Sequence, residues 1–286
     1  MKQVVITADD FGLAPEVNEA VEIACHDGIL TAASLMVSGP AAADAVARAQ
    51  RLARLRVGLH LVLVDGRPVL PPQRLPDLVD ASGRFRTGMA ALGCAIAARP
   101  SVRRQVAAEI EAQFAAFRAT GLRLDHVNAH KHFHLHPAIA RATIAIGARY
   151  GLAGLRVPTE PRSVLAAVEP QARTSSAWMT APWARLLART ARQSGLQAPD
   201  AVFGLAWSGA MTELRLAGLL HHLPPGRTEI YLHPATRDDF TGHAPGYRYR
   251  EELVALTAPS TIAAARRQGL EIGGYADFAG QAERRR

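Results

Sequence analysis

Residues 4–12 read Val-Val-Ile-Thr-Ala-Asp-Asp-Phe-Gly, an apolar, mostly β-branched run followed by two adjacent carboxylates. Such a run is typical of a buried strand, and the glycine lets the backbone bend sharply after it. In parallel α/β folds, the polar side chains that follow a strand at its carboxyl end face the active site. This stretch therefore predicts the first strand of a parallel sheet, with Asp9 and Asp10 at its functional edge.

The same alternation of short apolar runs and helical segments continues along the chain. Further strands are predicted at residues 29–37, 57–63, 122–128, 154–157, 201–206, 228–233 and near 271–273. Helices are predicted at residues 15–26, 41–55, 102–120, 137–150, 183–194, 212–222 and 260–268, and loops at 64–88 and 160–182. Seven or eight βα units favour a (β/α) barrel that is TIM-like, either regular or distorted to seven strands, with a doubly wound open sheet as the alternative.

The length of 286 residues suits one such barrel, which typically needs about 250 residues. We expect residues 1–280 to form a single catalytic domain and residues 281–286, which end in three arginines, to form a basic tail. A hydrophobic share of 49% and a charged share of 20% fit a globular enzyme with a buried core.

The formal net charge of +8 can attract anionic membrane surfaces, nucleic acids or acidic substrates. No nucleic-acid-binding motif accompanies this charge, so we expect no nucleic-acid partner. Cys25 and Cys94 form no CxxC pair, which favours a reducing cytoplasm. The apolar run before Asp9 is too short for a signal peptide, and no apolar stretch reaches the roughly 18–20 residues of a membrane span. We expect a cytoplasmic protein whose charge favours contact with the inner membrane surface.

Polar residues stand at the ends of several predicted strands. The adjacent carboxylates of Asp9 and Asp10 repel each other, and a bound cation relieves that repulsion. The alternative is an Asx turn or a cap for the helix that begins near Pro15. His60 and His233 each end a later strand, although a single histidine in such a place is often structural.

Residues 125–137 read DHVNAHKHFHLHP and hold five of the chain's 11 histidines. Their spacing in multiples of two predicts that an extended strand places all five on one face. Neutral imidazole binds zinc and similar ions well, so the cluster favours a divalent-metal site. Not all five can bind one ion, and the others are expected to contact substrate or one another, or to cap the next helix. A surface cluster without a role is the alternative.

Together these positions place acidic or imidazole groups from four separate strands at one mouth, which favours an active site over a chance arrangement. Arg250 precedes two glutamates and is a candidate for orienting an active-site carboxylate, with a surface ion pair as the alternative.

Four motifs then resemble the YdjC-like carbohydrate deacetylases, a family that includes the chitooligosaccharide deacetylases. They are TADDFG at 7–12, GLHL at 58–61, the HxHxH run from His130, and His233-Pro234. The longer stretches 28–37, 58–63 and 124–137 resemble the hopanoid biosynthesis-associated branch, which is linked to deacetylation of an N-acetylglucosaminyl hopanoid. The resemblance covers nearly the whole chain in the right order.

The resemblance implies a distorted barrel with one divalent ion ligated by Asp10, His60 and His130. A site with one carboxylate and two histidines suits zinc or a similar transition metal, and magnesium less well. In the implied deacetylation, Asp9 is the general base and His233 the general acid. Other polar residues near the mouth are expected to contact the N-acetylated sugar or glycolipid substrate: Asn128, Lys131, His132, His134 and Arg250.

Two positions depart from the chitooligosaccharide members. Asn128 stands where they carry aspartate, and Lys131 where they carry histidine. These changes shift the expected substrate towards the glycolipid, with a chitooligosaccharide as the alternative. A phosphoesterase or amidohydrolase on the same barrel, or a non-catalytic metal-binding protein, are the other functions that the residues allow.

Overall fold

The computed structural model describes residues 2–171, 177–267 and 269–281, and for residues 177–180 and 279–281 it describes the backbone path alone. Residues 282–286, which hold nearly all of the expected basic tail, lie outside this part. The strands are β1 Lys2–Phe11, β2 Ala32–Leu35, β3 Arg56–Leu61, β4 Leu124–Ala129, β5 Gly154–Leu155, β6 Ala201–Phe203, β7 Gly226–Leu232 and β8 Leu270–Ile272.

Ten helices and three 3-10 segments surround these strands in the described residues. The helices are α1 Pro15–Asp27, α2 Ala42–Ala49, α3 Met89–Ala98, α4 Pro100–Ala119, α5 Pro137–Ala148, α6 Arg162–Val168, α7 Ala177–Gln193, α8 Glu213–His222, α9 Tyr249–Thr257 and α10 Pro259–Ala265. The 3-10 segments are Pro72–Arg74, His130–Leu135 and Ala276–Gln281.

The strands form a parallel, curled sheet in the order β5-β4-β3-β2-β1-β7-β6, and β8 pairs with the start of β1. The two edge strands of this sheet are β5 and β6. Near them a parallel bridge joins Gly154 to Gln197, and the N–H of Val202 donates to the carbonyl of Thr159 over 2.7 Å. Because β5 and β6 are joined so sparsely, the seven strands in this order form a distorted (β/α) barrel, which confirms the predicted fold class.

Alternation along β1 explains how the barrel is filled. Val4, Ile6 and Ala8 pack into the main core that the helices cover, while Thr7 and Asp9 point into the barrel. Burying a valine or isoleucine side chain contributes about 1.5–3 kcal/mol, so the outward face holds the helices in place. The inward face is free to carry polar chemistry.

The last described segment closes the amino-terminal end of the barrel. The Tyr275 ring stacks on His126 with a centroid distance of 4.9 Å, and its hydroxyl donates to Glu229 over 2.6 Å. The backbone N–H of Tyr275 also donates to Asp125. A Cβ at Gly154 would lie 2.2 Å from the Tyr275 ring, so this position must stay glycine. The open mouth is therefore at the carboxyl ends of the strands.

Several helix boundaries differ from the prediction. The helix predicted at 41–55 ends at Ala49, α3 was not predicted, and α6 lies within the predicted loop 160–182. α6 is only seven residues long, too short to show a clear helical period. Among the described residues, no helix combines the length and the apolarity that crossing a bilayer requires.

Candidate metal centre

Three ligand atoms meet at the mouth of the barrel. Oδ1 of Asp10 lies 3.2 Å from Nε2 of His60 and 3.4 Å from Nδ1 of His130, and these two nitrogens are 3.4 Å apart. The three residues come from the end of β1, from β3 and from the position directly after β4. The structure thus brings together the three residues that the resemblance implies as ligands.

This nearly equilateral triangle fits a divalent transition-metal ion. Ligands about 2.0–2.1 Å from a tetrahedral ion lie about 3.3 Å from one another, close to the observed separations. Oδ1 of Asp10 is buried and has no hydrogen-bond partner among the described residues, although two imidazoles surround it. A buried carboxylate oxygen without a hydrogen bond is costly, and a bound cation would remove that cost. His130 is the most exposed of the three side chains, at 22%, so water or substrate would reach a bound ion from the mouth.

A bulge in β1 explains how two successive aspartates both serve the site. Neighbouring strand residues point to opposite faces, so Asp10 would point away from the barrel if β1 were regular. The pairing of β1 with β2 shifts between Ala8 and Phe11, and Asp10 has a φ of 60°. This left-handed conformation is one that aspartate tolerates better than most residues, and it turns Asp10 back to the mouth.

The histidine run does not continue β4 as an extended strand, so the prediction that all its imidazoles share one face is wrong. β4 ends at Ala129, and Lys131 and His132 have φ values of 53° and 54°. Two consecutive left-handed residues without glycine are strained, and such strain is characteristic of functional sites. The turn presents His130 to the metal centre and sends the following histidines elsewhere.

Each of those histidines has its own structural contact. Nε2 of His132 lies 3.0 Å from the hydroxyl of Tyr231, at the inner edge of the mouth. His134 is fully buried, and its Nε2 bonds the carbonyl of Arg156 over 2.8 Å, so a substrate contact does not fit its position. Nδ1 of His136 accepts from the N–H of Ala138 over 3.2 Å, which confirms the expected helix cap.

Asn128 is also buried, directly beneath the ligands rather than on a substrate surface. Its Oδ1 lies 2.8 Å from Nδ1 of His60, and its Nδ2 donates to Oδ1 of Asp9 over 2.8 Å. Ser34 donates to the same Asp9 oxygen over 2.8 Å. Because an amide oxygen can only accept, His60 carries its proton on Nδ1 and leaves Nε2 free to ligate.

A buried arginine that the sequence reasoning missed holds Asp9. Arg156 is fully buried; Nη1 and Nη2 donate to Asp9 over 2.5 and 2.9 Å, and Nε and Nη2 donate to Glu229 over 3.0 and 2.8 Å. Burial alone would raise the pKa of Asp9, but the Arg156 guanidinium outweighs it and holds this pKa well below its usual range. The sequence held one sign of this pair, because Arg156 and Glu229 each stand inside a predicted apolar strand.

His233 lies half-buried directly after β7, the strand that pairs with β1. Its ring packs edge-on against Tyr231 and Tyr247, with centroid distances of 5.7 and 5.1 Å, and its Nδ1 has no partner among the described residues. Burial lowers the pKa of His233, which favours a neutral ring at neutral pH. The backbone N–H of His233 donates to Glu252, a carboxyl group whose pKa burial raises to about 8.

The two remaining predicted residues lie further out. Nζ of Lys131 pairs with Asp65 over 2.6 Å, so the charge of Lys131 is partly neutralised at the rim. Arg250 is exposed near the start of α9, and no carboxylate in the described ranges pairs with its guanidinium. The prediction that Arg250 orients an active-site carboxylate is therefore wrong; Arg156 holds that position.

The chain is similar to known proteins along most of its length. The profile of the family described as YdjC-like protein matches residues 3–267. A carbohydrate deacetylase of Geobacillus stearothermophilus is 30% identical over 278 residues, covering 96% of this chain and 97% of the relative. A carbohydrate deacetylase of Mus musculus is 33% identical over 256 residues, covering 86% of this chain and 78% of that protein.

Among solved structures, the chain is similar to an Enterococcus faecalis protein to which cellobiose-phosphate cleavage has been provisionally assigned. The TM-score is 0.76 at 24% identity, and the match covers 97% of this chain and 98% of the other. At this identity the likeness establishes a shared fold.

Proposed function

This chain belongs to the YdjC-like family, and on that premise we propose that it is a metal-dependent hydrolase that removes the acetyl group from an N-acetylated amino sugar. The observation that carries the proposal is the triangle of Asp10, His60 and His130 at the barrel mouth. Relatives that align over most of the chain are carbohydrate deacetylases, which supports the same reaction class.

Asp10, His60 and His130 would hold one divalent ion, zinc or a similar transition metal. Two of the three donors are imidazole nitrogens, which magnesium accepts poorly. When bound, such an ion polarises a carbonyl group and makes a nearby water more acidic. The buried relay from Asn128 to His60 presents the ligand nitrogen in the required tautomer.

Asp9 is the proposed general base. Among the described residues, its Oδ2 accepts only from Arg156, whereas Oδ1 also accepts from Ser34 and Asn128, so Oδ2 is the oxygen with capacity for a further proton. Arg156 keeps Asp9 ionised in the resting site, which is the form that a base needs before it accepts a proton. In the reaction, a water oxygen attacks the acetamide carbon and Asp9 takes the water proton.

His233 is the proposed general acid. The C–N bond breaks to release acetate, and the departing nitrogen takes a proton from the imidazole to leave as a free amine. Because burial lowers the pKa of His233, the resting ring is neutral; in each cycle it takes up one proton from solvent at the mouth before the C–N bond breaks, and the proton on Asp9 returns to solvent. A neutral resting imidazole at the mouth is suited to that exchange.

We infer the N-acetylglucosaminyl head of a hopanoid glycolipid as the substrate, with a chitooligosaccharide as the alternative. The resemblance of residues 28–37, 58–63 and 124–137 supports the glycolipid. Two positions differ from the chitooligosaccharide members. Lys131 pairs with Asp65 at the rim, and Asn128 contacts His60 beneath the ligands.

Acetate release tests the proposal directly. The purified chain is incubated with N-acetylglucosaminyl hopanoid, with N-acetylchitobiose and with a phosphate ester, each with and without chelator. We expect chelator-sensitive acetate release, fastest with the glycolipid. Phosphate release without acetate release would favour the phosphoesterase, and no turnover with bound metal would favour a non-catalytic binding protein.

A further inference from the structure

Helix α7 carries two large apolar side chains on its outer surface. Trp183 and Leu186 are 48% and 51% exposed, although most large apolar residues of the chain are buried. They are three residues apart and therefore adjacent on the helix surface. Single exposed apolar residues are ordinary, but an adjacent tryptophan and leucine form a small apolar patch.

A basic stripe lies next to this patch. Between Ala177 and Gln193 the chain has three arginines and no acidic residue. Arg192 pairs with Asp200 over 3.1 Å, whereas Arg185 and Arg189 are exposed and pair with no carboxylate in the part of the chain that the structure describes. Arg189 is three residues after Leu186 and four after Arg185, so the two unneutralised guanidinium groups lie on the side of Leu186 that is away from Trp183.

The opposite face of α7 is firmly seated, so its outer face has a defined direction. Ala184, Leu187 and Ala191 are buried in the main core. α7 packs against α5 and against the 3-10 segment His130–Leu135, which begins with a metal-ligand candidate. α7 ends at Gln193, shortly before Gln197 pairs with Gly154 at the start of β5, so its first half, with Trp183 and Leu186, lies nearer the mouth.

We propose that the outer face of α7, formed by Trp183, Arg185, Leu186 and Arg189, docks on the surface of an anionic lipid bilayer. Tryptophan favours the level of the lipid headgroups, and leucine adds apolar area that the interface buries. The arginines attract anionic headgroups, each strengthening binding several-fold. Docking here brings the mouth close to the headgroups without any segment crossing the bilayer.

Vesicle co-sedimentation of the full chain tests this surface without any turnover, so its outcome is independent of the proposed reaction. We expect binding to vesicles of phosphatidylcholine mixed with phosphatidylglycerol, weak binding to phosphatidylcholine alone, and loss of binding as salt is added. The double variants W183S/L186S and R185E/R189E should each weaken binding by about tenfold or more.

Matched controls are available on other helices. Leu214 is 84% exposed on α8, and Arg104 is exposed on α4, so L214S and R104E should bind vesicles like the wild type. Circular dichroism and thermal unfolding establish that each variant is folded. Equal binding to both vesicle types, or full binding by both double variants, would overturn the assignment. The assignment would also be overturned if the wild type did not bind vesicles and W183S/L186S changed the oligomeric state. That result would mean that the outer face of α7 contacts a second copy of the chain.

Discussion

Nδ1 of His60 lies 2.8 Å from Oδ1 of Asn128, a shorter contact than the 3.1 Å to Oγ of Ser34, and this acceptor keeps the ring proton off the nitrogen that faces the metal centre. The amide oxygen can accept but not donate, so the ring proton stays on Nδ1. The amide nitrogen of Asn128 then binds Asp9, which ties the ligand and the proposed base into one buried network. Asn128 acts by positioning these groups, although it lies outside the ligand triangle.

Removing this acceptor should weaken metal binding. In Asn128→Ala, Nδ1 of His60 loses its nearer acceptor and keeps only the longer contact with Oγ of Ser34 at 3.1 Å, and we expect zinc affinity to fall by about 10–100-fold. Competition with a zinc-chelating dye measures the change. Asn128→Asp restores an acceptor and is the matched control, so its affinity should stay nearer to that of the wild type. Equal affinities for the alanine variant and the wild type would remove the positioning role.

Arg156 should be among the most destabilising positions to neutralise. Arg156→Met leaves the buried carboxylates of Asp9 and Glu229 without their counter-charge, and we expect the free energy of unfolding to fall by about 3–5 kcal/mol. Urea denaturation measures it, with the exposed Arg104→Met as control. Adding Glu229→Gln to Arg156→Met removes one uncompensated charge and should recover part of the loss. No recovery would contradict the charge-balance explanation.

His233 should affect turnover far more than metal binding. We expect His233→Ala to lower kcat by about 10²–10⁴-fold, the range typical of a lost general acid, while zinc still binds. Acetate release and metal content, measured on the same preparation, separate the two effects. If the variant loses its metal in proportion to its activity, His233 has a different role.

Glu252 should make the folded chain less stable as the pH rises. Burial raises its pKa from 4.5 to about 8, so the folded state keeps a proton that the unfolded state releases between these values. The free energy of unfolding should therefore fall as the pH rises from about 4.5 to about 8, by at most on the order of 1 kcal/mol per pH unit. Urea midpoints at several pH values measure the slope.

The matched variants are Glu252→Gln, which cannot ionise, and Glu251→Gln at the neighbouring, more exposed position. Only the first should flatten the pH dependence, although it also loses an acceptor for the N–H of Met211 or of His233 and should be less stable at low pH. Parallel slopes for Glu252→Gln and the wild type would show that another group sets the dependence.

Asp10, His60 and His130 stand at the ends of predicted parallel strands, so the sequence predicted that they share one mouth. The resemblance to the YdjC-like family then singled them out as the ligands. The barrel itself followed from the alternation of strands and helices. The left-handed backbone at Asp10 and His132 could not be predicted, because no residue type other than glycine marks such a conformation clearly in a sequence.

The buried polar network was missed for a different reason. Arg156 and Glu229 lie in runs that read as apolar strands, and each has its partner more than 70 positions away. Sequence spacing carries no information on such pairs. Arg250 was chosen as the orienting arginine because glutamates follow it in sequence, yet the groups that need a guanidinium lie on β1 and β7.

The most direct test of the metal-dependent deacetylase is a zinc titration of the chelator-stripped chain, followed by acetate release from an N-acetylated amino sugar. We expect no release without metal and recovery that saturates at one equivalent of zinc per chain. Asp10→Ala should fail to recover at the same zinc concentration. Full acetate release by the stripped chain, or zinc-independent release by Asp10→Ala, would contradict the assignment of Asp10, His60 and His130 as the catalytic metal site.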